Sequence, residues 1–217
     1  GRFLSLHSMT ITKLINPRGK SYRELKNFVL GSDINWEWLP QSTGQLQDCF
    51  DEEDVKDYFE KSEIPLTDLD KYQDMPLYSH CVIDRISTYE QGYPHEDLHP
   101  GSDLVPIIKS HSYDLVKRFL YDVLVANKNE CYIKCIMRCN FNAVHSDIQG
   151  LSVPHEDHNS EVIPHKNMLV YFTDAGGETF VGVESHSPKE DDIIVFDSSK
   201  LHYMRAPKSK RRVIMVL

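Results

Sequence analysis

Across residues 113–126 the apolar side chains Leu115, Val116, Phe119, Leu120, Val123 and Leu124 recur about every 3.6 residues, which predicts an amphipathic helix with one buried face. The rhythm then changes. Cys131, Ile133, Cys135, Met137, Cys139 and Phe141 alternate with Tyr132, Lys134, Ile136, Arg138 and Asn140, the two-residue period of a strand with one apolar and one largely polar face. Short runs rich in β-branched and aromatic residues follow at 168–173, 178–183, 193–197 and 213–217. They are separated by the turn signals Asp174-Ala175-Gly176-Gly177, Ser187-Pro188 and Ala206-Pro207. Upstream, Tyr22, Leu25, Phe28 and Val29 give 21–30 helical spacing that ends at Gly31, and 51–61 reads as a second, short, acidic helix. Between these, Trp36 and Trp38 are expected to anchor the core, since aromatic side chains bury large areas. Helices first and many short strands afterwards predict a mainly β fold, a sandwich or barrel with α-helices packed outside it.

A length of 217 residues suits one domain and one active site. Within it, 1–127 is expected to be helical and loop support covering the pocket, and 128–217 the β core. The formal net charge of −9 repels a phosphate backbone, so nucleic acid is a disfavoured partner despite the local basic patch Lys208, Lys210, Arg211 and Arg212. No stretch approaches the roughly 18 uninterrupted apolar residues of a membrane span. The N-terminal residues also lack the succession of a signal peptide, so the expected location is the cytoplasm. The cysteines are odd in number, five, and without secretory context, which predicts reduced thiols. Cys131, Cys135 and Cys139 fall on the apolar face of the predicted strand, where free cysteine packs as a small hydrophobe, so a metal cluster is not the reading there.

The chemistry resides in His-x-Asp triplets. Residues two apart on a strand point to one face, so such a triplet aims an imidazole and a carboxylate at one point in space. A histidine from a distant strand completes a two-His-one-carboxylate facial triad, which leaves the opposite positions of an octahedral ion open. Three triplets fit: His95-Glu96-Asp97, His145-Ser146-Asp147 and His155-Glu156-Asp157. The first lies in a Pro- and Gly-containing stretch and is expected to be a polar loop. Gly150 and Pro154 separate the second from the next strand, whereas the third stands about one strand and one turn ahead of 168–173 and is preferred.

From the third triplet onward the chain resembles the 2-oxoglutarate-dependent Fe(II) oxygenases of the prolyl-hydroxylase-like branch, in particular small phage and marine-microbial members. The matching pieces come in family order: His155-Glu156-Asp157, Leu169-Val170-Tyr171-Phe172-Thr173-Asp174, Gly176-Gly177-Glu178-Thr179-Phe180, Pro188, Ile193-Ile194-Val195-Phe196-Asp197, Leu201-His202, and Arg212 in the last strand. The resemblance covers 131–217 and implies a double-stranded β-helix (jelly roll) of about eight core strands, a size that encloses one small ligand. It implies Fe(II) held by His155, Asp157 and His202, and 2-oxoglutarate held at its far carboxylate by Arg212, helped by the Tyr171 hydroxyl. A guanidinium meets a carboxylate with two parallel charge-assisted hydrogen bonds, which lysine cannot do. Arg211 is the rival; Arg212 is preferred because an unbroken apolar strand follows it directly. Arg138, Asn140 and Thr179 are expected to line the pocket. The implied reaction uses O2 to hydroxylate an unactivated C–H bond of a small-molecule or peptide substrate, releasing succinate and CO2. Halogenation is disfavoured, since the family's halogenases lack the carboxylate that Asp157 supplies.

Where the family shows a glycine after the proline, this chain has Lys189-Glu190-Asp191-Asp192, a departure that concerns a turn. Two rival classes remain at this point: a cupin-like metalloenzyme that does not use 2-oxoglutarate, and a non-catalytic β-barrel binding module. The first would keep the triad without needing Arg212 or Tyr171, and the second would have lost the ligands.

Overall fold

A computed structural model describes residues 10–41, 71–84, 107–157 and 164–217. The chain order is β1 (Ile11–Leu14), α1 (Lys20–Leu30), β2 (Glu37–Leu39), β3 (Tyr72–Gln73), β4 (Leu77–Asp84), β5 (Ile107–Ile108) and α2 (Tyr113–Ala126). Then come β6 (Cys139–His145), β7 (Leu151–Ser152), β8 (Lys166–Tyr171), β9 (Thr179–Val181), β10 (Glu184–His186), β11 (Ile193–Asp197), β12 (His202–Met204) and β13 (Arg211–Val216). The large antiparallel sheet runs β1-β11-β8-β13-β6-β4-β2, with β5 on the edge of β4; the small one runs β10-β9-β12. From β8 onward the chain passes from the large sheet to β9 and β10 in the small one, back to β11, across to β12 and back to β13. That alternation makes a double-stranded β-helix, the fold expected from the sequence.

Two apolar layers follow from the two-residue period of the strands. Met168, Val170, Ile193, Val195, Val213 and Met215 pack outward under the helices, whose buried stripes are Leu25 and Val29 of α1 and Val116, Phe119 and Val123 of α2. The intervening residues Leu169, Tyr171, Ile194, Phe196 and Ile214 face inward and meet Val181 of the small sheet. Strands β8, β11 and β13 are buried on both faces, so they read as continuous apolar runs. β6 alternates: Cys139, Phe141 and Ala143 join the helix layer, and the register turns Asn140 and Asn142 to the interior.

Several sequence-based expectations are corrected. The strand expected from residue 131 begins at Cys139, because its ladder partners start there: Ile83 pairs with Cys139 on β4, and Val216 with Asn140 on β13. Among the described residues, 131–138 have no strand to pair with, and Cys135 is exposed rather than packed, while Cys139 is buried and Cys131 partly so. Trp36 packs against the core, but Trp38 is 51 % exposed, its ring tilted against that of Tyr78 at 4.9 Å between ring centroids. The run 178–183 is one strand and a turn: β9 ends at Val181, and Gly182 (φ +55°) and Val183 turn the chain back into β10, which starts at Glu184. The first half, read as helices and loops, also supplies β1 to β5. Helix α1 does stop at Gly31, though by close approach: its φ is −87°, and a Cβ there would lie 2.5 Å from the Asn27 carbonyl oxygen. The predicted helix at 51–61 and the triplet His95-Glu96-Asp97 lie outside the described residues. Among the described residues, no helix is long and apolar enough to cross a membrane.

Candidate metal centre and anion pocket

His155 extends the small sheet by a single antiparallel bridge to His202; each backbone N–H donates to the other's carbonyl at 3.1 Å. The two imidazoles therefore lie side by side, with ring centroids 4.5 Å apart, and Asp157, two residues on, joins them. One ligand atom from each of His155, Asp157 and His202 lies within 4.8 Å of the others, and this is the one such trio among the described residues. The rival triplet ends differently: His145 closes β6 with its side chain exposed, as is Asp147.

Their surroundings set the protonation of His155 and Asp157. His155 Nδ1 is 2.8 Å from the Val153 carbonyl, which only accepts, so Nδ1 carries the proton and Nε2 keeps its lone pair. Burial, reinforced by neighbouring His202, lowers the His155 pKa to about 4. Burial alone would raise Asp157, but the hydrogen bond and charge of His202, with His155 and Arg138, hold its carboxyl well below the ordinary carboxylate range. Neutral imidazole and ionised carboxylate are the forms a metal ion requires. Asp157 Oδ2 is 3.4 Å from His202 Nε2, while Oδ1 accepts from Arg138 Nη1 at 3.2 Å. The buried His202 Nδ1 has no hydrogen-bond partner among the described residues.

Deeper in the barrel lies Arg212, only 4 % exposed. It alternates with Ile214 on β13 and so faces inward, whereas Arg211 faces the other way and is partly exposed. Its Nη2 donates to Thr179 Oγ1 at 3.0 Å, its Nη1 reaches Met204 Sδ at 3.4 Å, and its Nε is buried without a partner. The guanidinium lies 5.3 Å from the Tyr171 ring, and the Tyr171 hydroxyl is 2.6 Å from Thr179 Oγ1. Burial lowers the Arg212 pKa and raises that of Tyr171, each opposed by the other's presence. Among the described residues no carboxylate pairs with Arg212. An unpaired buried cation is costly, so this cradle fits an anion supplied from outside the chain.

Every site residue named from the sequence has a place here. His155, Asp157 and His202 converge; Arg212, Tyr171 and Thr179 form one hydrogen-bonded group; Arg138 joins the first set through Asp157. Asn140 is buried beside Arg138: with its amide oriented to satisfy both ends, its oxygen accepts from Arg138 Nη2 at 3.1 Å and its nitrogen donates to the Cys139 carbonyl at 2.8 Å. Sequence reasoning missed Met204 and Asn167. Asn167 pairs with Phe196 across β8 and β11, is 3 % exposed, and leaves Nδ2 unpartnered. The two-residue period that places Leu169 and Tyr171 inward was the signal that could have found it.

No protein-family model matches the chain, and neither does any curated protein. Among solved structures it is similar to a 2OG-Fe(II) oxygenase family oxidoreductase from Burkholderia pseudomallei, with 14 % identity over 92 % of this chain and 90 % of that one, at a TM-score of 0.45. It is also similar to a Pseudomonas putida prolyl-4-hydroxylase (9 % identity, 90 % and 96 % covered, TM-score 0.39). A Trichoplax adhaerens prolyl hydroxylase, solved with a hypoxia inducible factor peptide fragment, matches at 7 % identity, 90 % and 86 % covered, with a TM-score of 0.40.

Proposed function

We propose that this chain is an Fe(II)- and 2-oxoglutarate-dependent oxygenase of the prolyl-hydroxylase-like kind. His155, Asp157 and His202 would hold the iron, and Arg212, with Tyr171 and Thr179, the far carboxylate of 2-oxoglutarate. The observation that carries this reading is the buried guanidinium of Arg212, which has no carboxylate partner among the described residues. Met204, which Arg212 touches, lies two residues along β12 from His202, and such a step spans about 6.6–6.8 Å. A dicarboxylate whose keto acid end and far carboxylate are separated by two methylene groups suits that interval.

With iron, 2-oxoglutarate and O2 bound, the chemistry supplied is hydroxylation of an unactivated C–H bond with release of succinate and CO2. The chain's residues do the rest. The His155 imidazole, held neutral by burial, the ionised Asp157 and His202 would present three donors on one side of the site, and Leu169, Ile194, Phe196 and Ile214 form the apolar inner wall beside Tyr171. Asp157 would be the third protein donor to the iron, which favours hydroxylation over halogenation. Substrates are sought among small molecules and peptides. A cupin-like enzyme without 2-oxoglutarate would leave Arg212 buried with no anion, and a binding module would have no use for three converging ligands.

The test is anaerobic. Fe(II) followed by 2-oxoglutarate should produce the visible metal-to-ligand absorption band of a chelated keto acid, and succinate should appear once air is admitted. Iron binding without that band would leave the cupin-like reading in its place.

A further inference from the structure

We infer that Arg138 is a positioning residue that holds Asp157 to one ligating oxygen, and that Asn140 holds Arg138 for this task. The inference rests on the iron and 2-oxoglutarate reading above. Arg138 stands immediately before β6, and its guanidinium forks. Nη1 donates to Asp157 Oδ1 at 3.2 Å, and Nη2 donates to the Asn140 side-chain oxygen at 3.1 Å. Asn140 is a fixed tether. It is 9 % exposed, lies in the middle of the large sheet between β4 and β13, and gives its own amide hydrogen to the Cys139 carbonyl at 2.8 Å. The other Asp157 oxygen, Oδ2, is the one turned toward His202 Nε2, at 3.4 Å.

The chemistry gives this division of the carboxylate a purpose. A carboxylate can bind a cation through one oxygen or both. Six positions around an octahedral ion are filled by three protein donors, two from a chelating keto acid and one left for dioxygen. A second oxygen from Asp157 would take a position that the keto acid or dioxygen needs. Arg138 occupies that oxygen with a charge-assisted hydrogen bond, and the planar fork lets the same group be anchored on the sheet.

The test separates positioning from simple structural support by the sign of two binding constants. Co(II) is the probe metal, followed by its visible absorption, which reports coordination number, and anaerobic 2-oxoglutarate titration of the Co(II) protein follows. In Arg138→Ala, Asp157 Oδ1 loses this hydrogen bond and can turn to the metal, and a nearby positive charge is gone. Co(II) affinity is expected to hold or tighten, its spectrum to shift, and 2-oxoglutarate affinity to fall by about 10- to 100-fold, the scale of lost support around a metal ligand. Arg138→Lys, which keeps one donor for Oδ1, should recover part of the 2-oxoglutarate affinity. Asn140→Ala, which removes only the tether, should fall between wild type and Arg138→Ala. Unchanged spectrum and affinities overturn the inference, as does a parallel loss of both affinities, which is what structural support alone predicts. Should Arg138→Ala fail to fold by circular dichroism, the Lys and Asn140→Ala variants decide by the same signs. A wild-type protein that binds neither Co(II) nor 2-oxoglutarate would instead defeat the functional reading itself.

Discussion

Replacing Arg212 with alanine separates what the guanidinium does for the fold from what it does for a ligand. Without co-substrate it makes one good hydrogen bond, to Thr179 at 3.0 Å, and a weak one to the Met204 sulfur at 3.4 Å. Losing these costs about 1 kcal/mol. Removing a buried cation with no counter-ion gives back a comparable amount, so the unliganded variant should melt close to wild type. The liganded protein should differ. A carboxylate meeting Nε and its neighbour is worth about 1.5–4 kcal/mol, so the dissociation constant for 2-oxoglutarate should rise by roughly one to three orders of magnitude. Ligand at 100 times its wild-type Kd adds about 2.7 kcal/mol of stability. For a chain of this size that is about 5–11 °C in Tm. With a Kd about 100-fold weaker, the same concentration adds about 0.4 kcal/mol, or about 1–2 °C. The assays are thermal melts with and without 2-oxoglutarate and anaerobic titration of the visible band. Arg211→Ala, whose side chain points to the other face of β13, is the control and should behave as wild type. If Arg211→Ala weakens binding and Arg212→Ala does not, the placement of the two arginines is wrong. If neither does, 2-oxoglutarate is not the co-substrate.

Asp157→Ala should abolish turnover and leave Fe(II) bound weakly or not at all by dialysis and metal analysis; full iron and full activity would remove Asp157 from the site. Tyr171→Phe deletes one hydroxyl and its bond to Thr179, so 2-oxoglutarate binding should weaken by about 1 kcal/mol, or roughly fivefold, clearly less than in Arg212→Ala; an equal or larger loss would invert the roles assigned to the pair. The pH dependence of the metal-free protein follows from His155, whose pKa is lowered from 6.5 to about 4 by burial. Between those values the unfolded chain takes up a proton that the folded chain refuses, so stability is full above about pH 6.5 and declines as pH falls toward 4. Urea denaturation across that range should show the slope, and His155→Gln should flatten it; a wild-type profile that is level there would mean the imidazole is not held neutral by burial.

What could be read from the sequence was whatever each segment states about itself. The stripe of Val116, Phe119, Leu120 and Val123 marks a helix because its spacing is local, and α2 has the boundaries that spacing gives. The strand expected from residue 131 starts late for the opposite reason: alternation is local, but a strand exists only where a partner runs beside it, and the first partners, Ile83 and Val216, far away in sequence, meet Cys139 and Asn140. Strands β2, β3 and β5 are two or three residues long, too short for any period to show, and become strands by docking on β4 and β7. The site divides the same way. His155 and Asp157 announce themselves by their spacing, whereas the Arg138–Asp157 contact joins residues whose proximity only the closed barrel creates.

The turn at 189–192 carries the point further. At the place where the resemblance led one to expect glycine, Asp191 adopts φ +71°, a conformation that acidic and amide side chains tolerate better than most and glycine freely. Glycine would relieve the backbone and do nothing else. Asp191 instead accepts from the Tyr22 hydroxyl and pairs with Lys26, both at 2.7 Å, and so ties α1 to the entry of β11; beside it, Asp192 pairs with Lys13 at 2.8 Å and ties in β1. The hydrogen bonds outweigh burial and hold both carboxyls below their ordinary range. The acidic turn thus does with charge what no glycine can: it fastens the N-terminal helix and edge strand to the sheet that carries Tyr171 and Arg212, and the helix it fastens covers the outer face of that sheet.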